Sequence, residues 1–515
     1  MSRTNVRGDM AISWAKRRKP DANKFRSELN VGHVDSRKFE GAARRRVKLE
    51  DWMRSLPVEW PVELRAQIQK QVKDTQCKVV VLDDDPTGTQ TVHGIPVLTE
   101  WPIETLQKEL ENDLPAFYML TNSRSLTPLQ ARSINTEIGH NLVQAAQRAN
   151  RQFVTVSRSD STLRGHFPGE VEALTRALGQ SFDGWIIIPF FLEGGRYTLG
   201  DIHYVHEGSW LVPAGETEYA RDSTFGYRSS NLRHWVEEKT EGRISSGDVA
   251  SISIEDIREG GPNRVKERLL GIRDGKICVV NAIAYRDLDV FVGGLLAAEA
   301  QGRRFIYRTA ASFVQVRAGL FARPLLTCSD LDMPESGGAL IVVGSYVPKT
   351  SAQITTLLSL PQITSVQVNV EALLDESRRQ ETIEHIAQSA ERELRNERTV
   401  VIYTSRELVT GNDPESNLSI GSRVSDGLIS ILGLISTRPR YLIAKGGITS
   451  SDVATKGLGV KRALVLGQIL PGVPVWQLGT ESKYPSMPYI VFPGNVGGPG
   501  ALAEAVNLLK PSSTR

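Results

Sequence analysis

Cysteine is scarce: the chain of 515 residues has only Cys77, Cys278 and Cys328, far apart and without metal-ligand spacing. That excludes a cystine-stapled or zinc-clustered module and fits a reducing compartment. An excess of one charge is missing too. With 62 basic and 59 acidic residues the formal net charge is +3, so the chain as a whole carries no nucleic-acid signature. No apolar run approaches the ~18 residues of a membrane helix, and residues 1–50 contain no apolar signal-peptide core. The expectation is a cytoplasmic protein with neither membrane nor nucleic acid as partner. No repeat of fixed short period occurs either. Basic residues are uneven, however. AKRRKP (15–20) and ARRRVK (43–48) make the first fifty residues cationic, although Asp9, Asp21, Glu28, Asp35 and Glu40 dilute them. We read residues 1–75 as a basic N-terminal extension of flexible chain and solvated helix, not a transit segment.

What is present is a globular composition, 40% hydrophobic and 23% charged, on a chain long enough for two or three domains. Short apolar runs alternate with helical periodicity. KVVVLD (78–83), AFYMLT (116–121), FVTVS (153–157), WIIIPF (185–190), ICVVNA (277–282) and RFIYRTA (304–310) read as strands, and residues 129–150 as an amphipathic helix. A second series holds ALIVVGS (339–345), SVQVNV (365–370), TVVIYTS (399–405) and YLIAKGG (441–447), with helices over 381–395, 424–434 and 502–509. Continuous apolar strands between helices predict mainly parallel sheets covered on both faces. The expected fold is α/β: two Rossmann-like lobes, residues 76–326 and 339–515, joined by a linker at 327–338, with a cleft between them. Residues 193–231 break the rhythm and read as loops over a sheet edge.

Ligands of parallel sheets bind beyond the carboxyl ends of strands, and three polar groups fall there in the first lobe. They are Asp83-Asp84-Asp85-Pro86-Thr87-Gly88, then Thr121-Asn122-Ser123-Arg124, then Arg158, Asp160, Ser161, Thr162 and Arg164. Carboxylates accept from hydroxyls and guanidiniums clasp a carboxylate, so the set suits a small polyhydroxylated acid. Such residues also cap helices; three sets at one edge favour function. Asp83-x-Asp85-x-Thr87 also resembles the motif of haloacid-dehalogenase-type phosphatases, with Thr121 as a second element. That alternative lacks a convincing acidic pair for magnesium and leaves the second lobe without a task.

The second lobe has three glycine-rich strand-to-helix turns, VVGSYVPKTSAQ (342–353), AKGGITSSDVA (444–454) and VFPGNVGGPGALAEA (491–505). Glycine admits a ligand close to backbone N–H groups, which points Ser345, Gly446, Gly447, Thr449, Gly494 and Gly497 at phosphates. A Walker A motif is excluded, because no glycine precedes Lys349-Thr350 at the required spacing. No GxGxxG fingerprint occurs in these turns either.

LDDDPTG, TNSRS, SRSDSTLRGHFPGE, PFFLEGGRYTLGDIHYV, FGYRSSNL and RTAASFVQ resemble the N-terminal domain of the four-carbon acid sugar kinase family. GSYVPKTSAQI, KGGITSSDVA, GQILPGVPVW and FPGNVGG are similar to its C-terminal nucleotide-binding domain. The resemblance runs in order over about residues 76–506. It implies ATP- and magnesium-dependent phosphorylation of the terminal hydroxyl of threonate, erythronate or 3-oxo-tetronate. It places Asp84, Asp85, Thr87 and Gly88 in the family's DDxTG element, Arg124 on the substrate, and Asp160, Ser161 and Thr162 in its DST element. ATP contacts fall on Ser345, on Gly446, Gly447, Ile448 and Thr449, and on Gly494, Asn495 and Gly497. Asp84, Asp85 or Asp160 would take the hydroxyl proton. Thr87, Gly88, Arg158, Ser161, Thr162 and Arg164 would join Arg124 around the sugar acid. A non-catalytic sensor is the third reading, and a homodimer is left open. His203, Arg196, Trp101, Trp185 and Trp210 receive structural readings first.

Overall fold

The structure, a computed structural model, describes residues 46–344, 348–406, 409, 414–494 and 496–510, with no account of the side chains at 414–418. Fifteen strands of the described residues join in one sheet. From one edge run Ala250–Ile252, Lys276–Val280, Gly184–Ile188, Phe305–Thr309, Phe153–Arg158, Lys78–Asp83, Ala116–Leu120 and Ile95–Leu98, neighbours all parallel. Val79, Val80 and Val81 are fully buried, as befits a strand covered by helices on both faces. The helix Pro128–Ala149 shows why its ends fall where they do. Thr127 and Gln130 form a reciprocal capping box, proline starts the first turn, and Asn150 stops the helix in a left-handed conformation at φ 47°.

Beyond Ile95–Leu98 the sheet reverses. Arg462–Leu470 pairs antiparallel with it and forms a hairpin with Val473–Leu478, which pairs antiparallel with Pro488–Phe492. From there Pro488–Phe492, Leu442–Lys445, Leu340–Val343, Thr399–Thr404 and Ile363–Val368 are again parallel neighbours. Three reversals make this second block run opposite to the first. Register shifts at Val465/Gly467 and Gln468/Leu470 break the ladder of the connecting strand, and such bulges bend and twist a sheet. One apolar cluster continues through both blocks, from Val81 to Val491. Two lobes thus share one sheet, a continuity not foreseen from the sequence. Side chains lock the seam: Trp476 Nε1 donates to Thr89 Oγ1 at 2.9 Å, and Gln90 Nε2 to the Gly472 carbonyl at 2.9 Å.

The expected loops of residues 193–231 contain strands instead. Arg196–Leu199, Ile202–Glu207 and Trp210–Pro213 form an antiparallel meander to which Val47–Lys48 adds an edge. Its first turn is two residues, Gly200 and Asp201, both with positive φ (55° and 63°), the geometry that matches the twist of a hairpin. Residues before the first lobe strand also pack on this lobe. Trp52 meets Tyr204 edge-on at 4.8 Å, and Arg65 pairs with Asp289 at 2.7 Å.

Trp476 is fully buried at the seam, so Trp476→Ala should cost about 3–5 kcal/mol. Trp476→Phe, which loses chiefly the bond to Thr89, should cost about 1 kcal/mol. Urea unfolding of the two variants measures both; a loss below about 1 kcal/mol for the alanine variant would mean the hairpin does not carry the junction.

Candidate active site

The three polar groups of the first lobe follow three adjacent strands, Phe153–Arg158, Lys78–Asp83 and Ala116–Leu120. Their carboxylates and guanidiniums interlock. Asp83 Oδ1 lies 3.0 Å from Arg158 Nη1, and Asp84 Oδ1 lies 3.6 Å from the same atom and 3.3 Å from Arg124 Nε. Asp85 Oδ2 takes Arg124 Nη2 at 2.7 Å, and Asp160 Oδ1 lies 3.8 Å from Arg124 Nη1. Asp160 Oδ2 accepts from Arg164 Nε at 2.7 Å and from the Thr162 hydroxyl. Two loop residues hold left-handed backbone here, Asn122 at φ 49° and Leu163 at φ 69°. Such a conformation is costly for leucine, and strain of this kind gathers where a site is held in place.

Depth separates the aspartates. Asp83 is sealed beneath Gly88: a Cβ at residue 88 would stand 2.0 Å from Asp83 Oδ2, so only glycine fits. Burial pushes the Asp83 carboxyl up to about 7 despite Arg158, with Asp84 and Asp85 adding to the rise. A phosphatase nucleophile would have to be open, and Asp83 is not. Asp84 Oδ2 accepts from Ser159 Oγ at 2.5 Å, while its Oδ1 has no hydrogen bond. Burial opposes charge on Asp85, but Arg124, Thr87 and Arg158 prevail and hold its carboxyl below the ordinary range. The same contest, with Arg164 and Arg124 as partners, lowers Asp160. Asp85 is the most open of the four aspartates, its side chain 14% exposed, and Arg124 and Arg164 are 18% and 22% exposed.

Several expected contacts turn inward. Arg158 is buried and acts on Asp83 and Asp84. Thr162 is fully buried, and its carbonyl accepts from Tyr227 Oη at 2.8 Å. Ser161 is buried and offers its carbonyl to His203 Nε2 at 2.7 Å. Thr198 lies 2.9 Å from His203 Nδ1, and burial pulls this histidine down to about 4. His203 is therefore neutral and supports the Ser161 loop. Arg164 and Arg196 both stack on Tyr219, at 5.1 and 5.6 Å. Trp210 is exposed, with the Lys48 ammonium 5.7 Å above it.

The three glycine turns of the second lobe also follow adjacent strands, Pro488–Phe492, Leu442–Lys445 and Leu340–Val343. Ser345 and Asn495 lie outside the described residues. Gly446, at φ 108°, precedes the short helix Gly447–Asp452 and donates its N–H to the Phe492 carbonyl at 2.9 Å. Ile448 is 57% exposed beside it. A Cβ on Gly344 would stand 2.5 Å from Thr449 Oγ1, whereas one on Gly494 would meet nothing within 4 Å. Gln353, overlooked in the sequence, ties the last turn: its Nε2 donates to the Val496 and Gly498 carbonyls at 3.1 and 2.9 Å. Lys445 was overlooked as well. Fully buried at the end of the middle strand, its Nζ has the Pro493 carbonyl at 3.0 Å and the Phe492 ring at 4.5 Å. Burial, then Lys349, pushes this ammonium down to about 7. The pattern Lys-Gly-Gly after an apolar strand was the available signal.

The loops at the strand ends of the two lobes meet at one point. A Cβ on Gly447 would lie 2.1 Å from Asp85 Oδ2, so the most open carboxylate of the four clustered aspartates touches the central glycine turn of the second lobe. Among the described residues no group of three or more His, Cys, Asp or Glu forms a metal cage. A magnesium ion bound through substrate phosphates needs only one or two carboxylates, so the lack of such a cage does not conflict with one. Glycines 446, 447 and 494 with the buried Lys445 fit a polyphosphate.

A carboxylate pocket facing a glycine-lined turn across a two-lobed α/β sheet defines a phosphotransferase-like class of protein. Residues 79–317 match a sugar-binding N-terminal domain, and residues 340–502 a nucleotide-binding C-terminal domain. The chain belongs to the four-carbon acid sugar kinase family and is a sugar-acid kinase, a phosphotransferase acting on an alcohol group. It is 26% identical over 372 residues to the D-erythronate kinase of Heliobacterium modesticaldum, covering 68% of this chain and 78% of that one. The fold resembles a Haemophilus influenzae protein (TM-score 0.56, 19% identity, 84% of this chain and all of that one). It also resembles a Salmonella typhimurium protein with a provisional tRNA-synthase label (TM-score 0.60, 18% identity, 83% and 98% covered). No helix among the described residues is long and apolar enough to cross a membrane.

The depressed ammonium of Lys445 makes stability depend on pH. Between about 7 and its ordinary 10.5 the unfolded chain binds a proton that the folded chain does not, so this group's contribution rises with pH across that window and is least favourable below it. Lys445→Met should remove the rise. Denaturant unfolding of both proteins at about pH 6 and about pH 9 checks it; a wild-type minus variant difference that is the same at both would refute the assignment.

Proposed function

We propose that the protein transfers the terminal phosphoryl group of ATP to the terminal hydroxyl of a four-carbon sugar acid of the erythronate, threonate or 3-oxo-tetronate type. On this reading residues 76–326 bind the acid and residues 339–515 the nucleotide. The contact of Asp85 with Gly447 carries the reading, because it puts a sugar-lobe carboxylate against the turn assigned to phosphate.

Bound magnesium ATP supplies the phosphoryl group, and the metal offsets its charge. The chain supplies position and proton acceptance. Asp85, kept ionised by Arg124, orients the attacking hydroxyl and accepts its proton as the new O–P bond forms and the bond from the γ-phosphorus to the β–γ bridging oxygen breaks, with ADP leaving. Asp84 and Asp160 accept from the inner hydroxyls, Asp84 with its unbonded Oδ1. Arg124 spans Asp84, Asp85 and Asp160 and prevents three carboxylates from repelling one another at close range. Thr87 fixes Asp85 by donating its N–H at 2.8 Å. Gly446, Gly447, Ile448 and Thr449 with Gly494 and Gly497 line the phosphate side, and closure around both ligands excludes water as a competing acceptor.

Incubation with ATP, magnesium and a panel of D- and L-erythronate, threonate and 3-oxo-tetronate tests the reading. ADP release that depends on one acid is expected; release that ignores every acid refutes it. Asp85→Asn should keep nucleotide binding and lower kcat about 100-fold or more, the usual cost of losing a general base. Turnover within about threefold of wild type would remove Asp85 from that role.

A further inference from the structure

Behind the carboxylates of the first lobe is a cavity of about 10 Å³, near the least volume that admits one water molecule. Ser159, Asp160, Trp235, Arg308 and Thr309 contribute its polar wall. Two of these side chains are incomplete. Trp235 Nε1 and Thr309 Oγ1 are buried and have no hydrogen-bond partner, in residues 1% and 3% exposed. An indole N–H can only donate, and leaving such a group unpaired costs about 1–3 kcal/mol. The indole thus lacks an acceptor and the hydroxyl lacks any partner among the described residues.

Arg308 enters the same wall with loose contacts. Its Nη1 is 3.4 Å from Ser157 Oγ and 3.8 Å from Glu170 Oε2, and its Nη2 is 3.4 Å from the Arg164 carbonyl. Arg124 and Arg158, by contrast, hold carboxylates at 2.7 and 3.0 Å. The lining carboxylate is already used, because Asp160 Oδ2 serves Arg164 and Thr162. A Cβ on Gly165 would stand 2.9 Å from Arg308 Nη2, 2.8 Å from Ser159 Oγ and 3.2 Å from Asp84 Oδ2. The cavity thus adjoins the inner aspartates and presents mainly donors. Residues that carry an unpartnered indole N–H, an unpartnered hydroxyl and a guanidinium line space for about one acceptor atom.

We propose that this cavity seats one oxygen of the sugar acid's carboxylate, with Trp235 Nε1 and Thr309 Oγ1 donating to it and Arg308 opposing its charge. Arg124 then serves the aspartates and not the substrate carboxylate. The inference rests on the sugar-acid reading above for the class of ligand. It places the acid's two ends apart, the carboxylate at Arg308 and the reacting hydroxyl at Asp85.

Trp235→Phe keeps the ring that stacks on Phe167 at 4.7 Å and removes the donor; Thr309→Val removes the hydroxyl at nearly constant shape. Calorimetry of the full chain with D- and L-erythronate and threonate, and separately with ADP, reads the effect. Each variant should weaken the best-bound acid about 10-fold or more, as for loss of a hydrogen bond to a charged group, with ADP affinity within about twofold and thermal unfolding unchanged. Acid affinity within about twofold of wild type would leave the cavity holding a trapped water only and overturn the proposal. Parallel losses of ADP affinity and thermal stability would also overturn it, as damage to packing. A wild type that binds an acid but forms no ADP defeats the kinase reading alone, while one that binds no acid defeats this inference.

Discussion

Charge compensation in a nearly dry place is the constraint on which the first lobe depends. Four aspartates, Asp83, Asp84, Asp85 and Asp160, meet Arg124, Arg158 and Arg164 at the ends of three neighbouring strands. Arg124 joins Asp84 and Asp85 to Asp160, so it ties the loop after one strand to the loop after its neighbour. Removing one partner from such a buried pair leaves a charge uncompensated, at about 3–5 kcal/mol. The mesh also divides labour by depth. Asp83 and Arg158 form its floor, and Asp85 and Arg124 its mouth.

The sheet decides what that mouth faces. Because the second parallel block runs opposite to the first, the carboxyl ends of the two blocks would lie at opposite edges of a flat sheet. The bulged strand Arg462–Leu470 and the seam at Trp476 remove that obstacle, and Asp85 comes against Gly447. A side chain at residue 447 would collide with the carboxylate, so glycine is required for this loop to approach Asp85. The two surfaces touch at this contact.

The parallel strands were legible because burial on both faces turns them into continuous apolar runs; Lys78–Asp83 and Thr399–Thr404 begin where the runs begin. Residues at the strand ends were legible by type, and the structure gathers both sets. Partner choice was not. Nothing in TNSRS says that Arg124 will hold Asp85, and nothing in SRSDSTLRG says that the Thr162 hydroxyl turns inward. The antiparallel seam escaped for a different reason. In RALVLGQILPGVPVWQL the bulges disturb the alternation and Gly467 adopts φ 145°, although Pro471-Gly472 is a turn signal. Gly200-Asp201 was a hairpin signal hidden in a stretch whose composition reads as loop.

Lys445 shows why the second lobe complements the first. A lysine ordinarily runs its stem along apolar surface and leaves its ammonium in water, which is why such a residue inside YLIAKGG attracts no notice. Here the ammonium is fully buried, and among the described residues no carboxylate lies within ion-pair reach. One carbonyl and one ring face repay only part of its desolvation, so burial pushes the group down to about 7 and the fold disfavours its charged form. The first lobe has the opposite imbalance, four carboxylates against three guanidiniums in its central mesh. On the proposed reading, an anion at the glycine turns would favour the charged form of Lys445, and a metal-bound polyphosphate would bring that anion to the junction between Asp85 and Gly447.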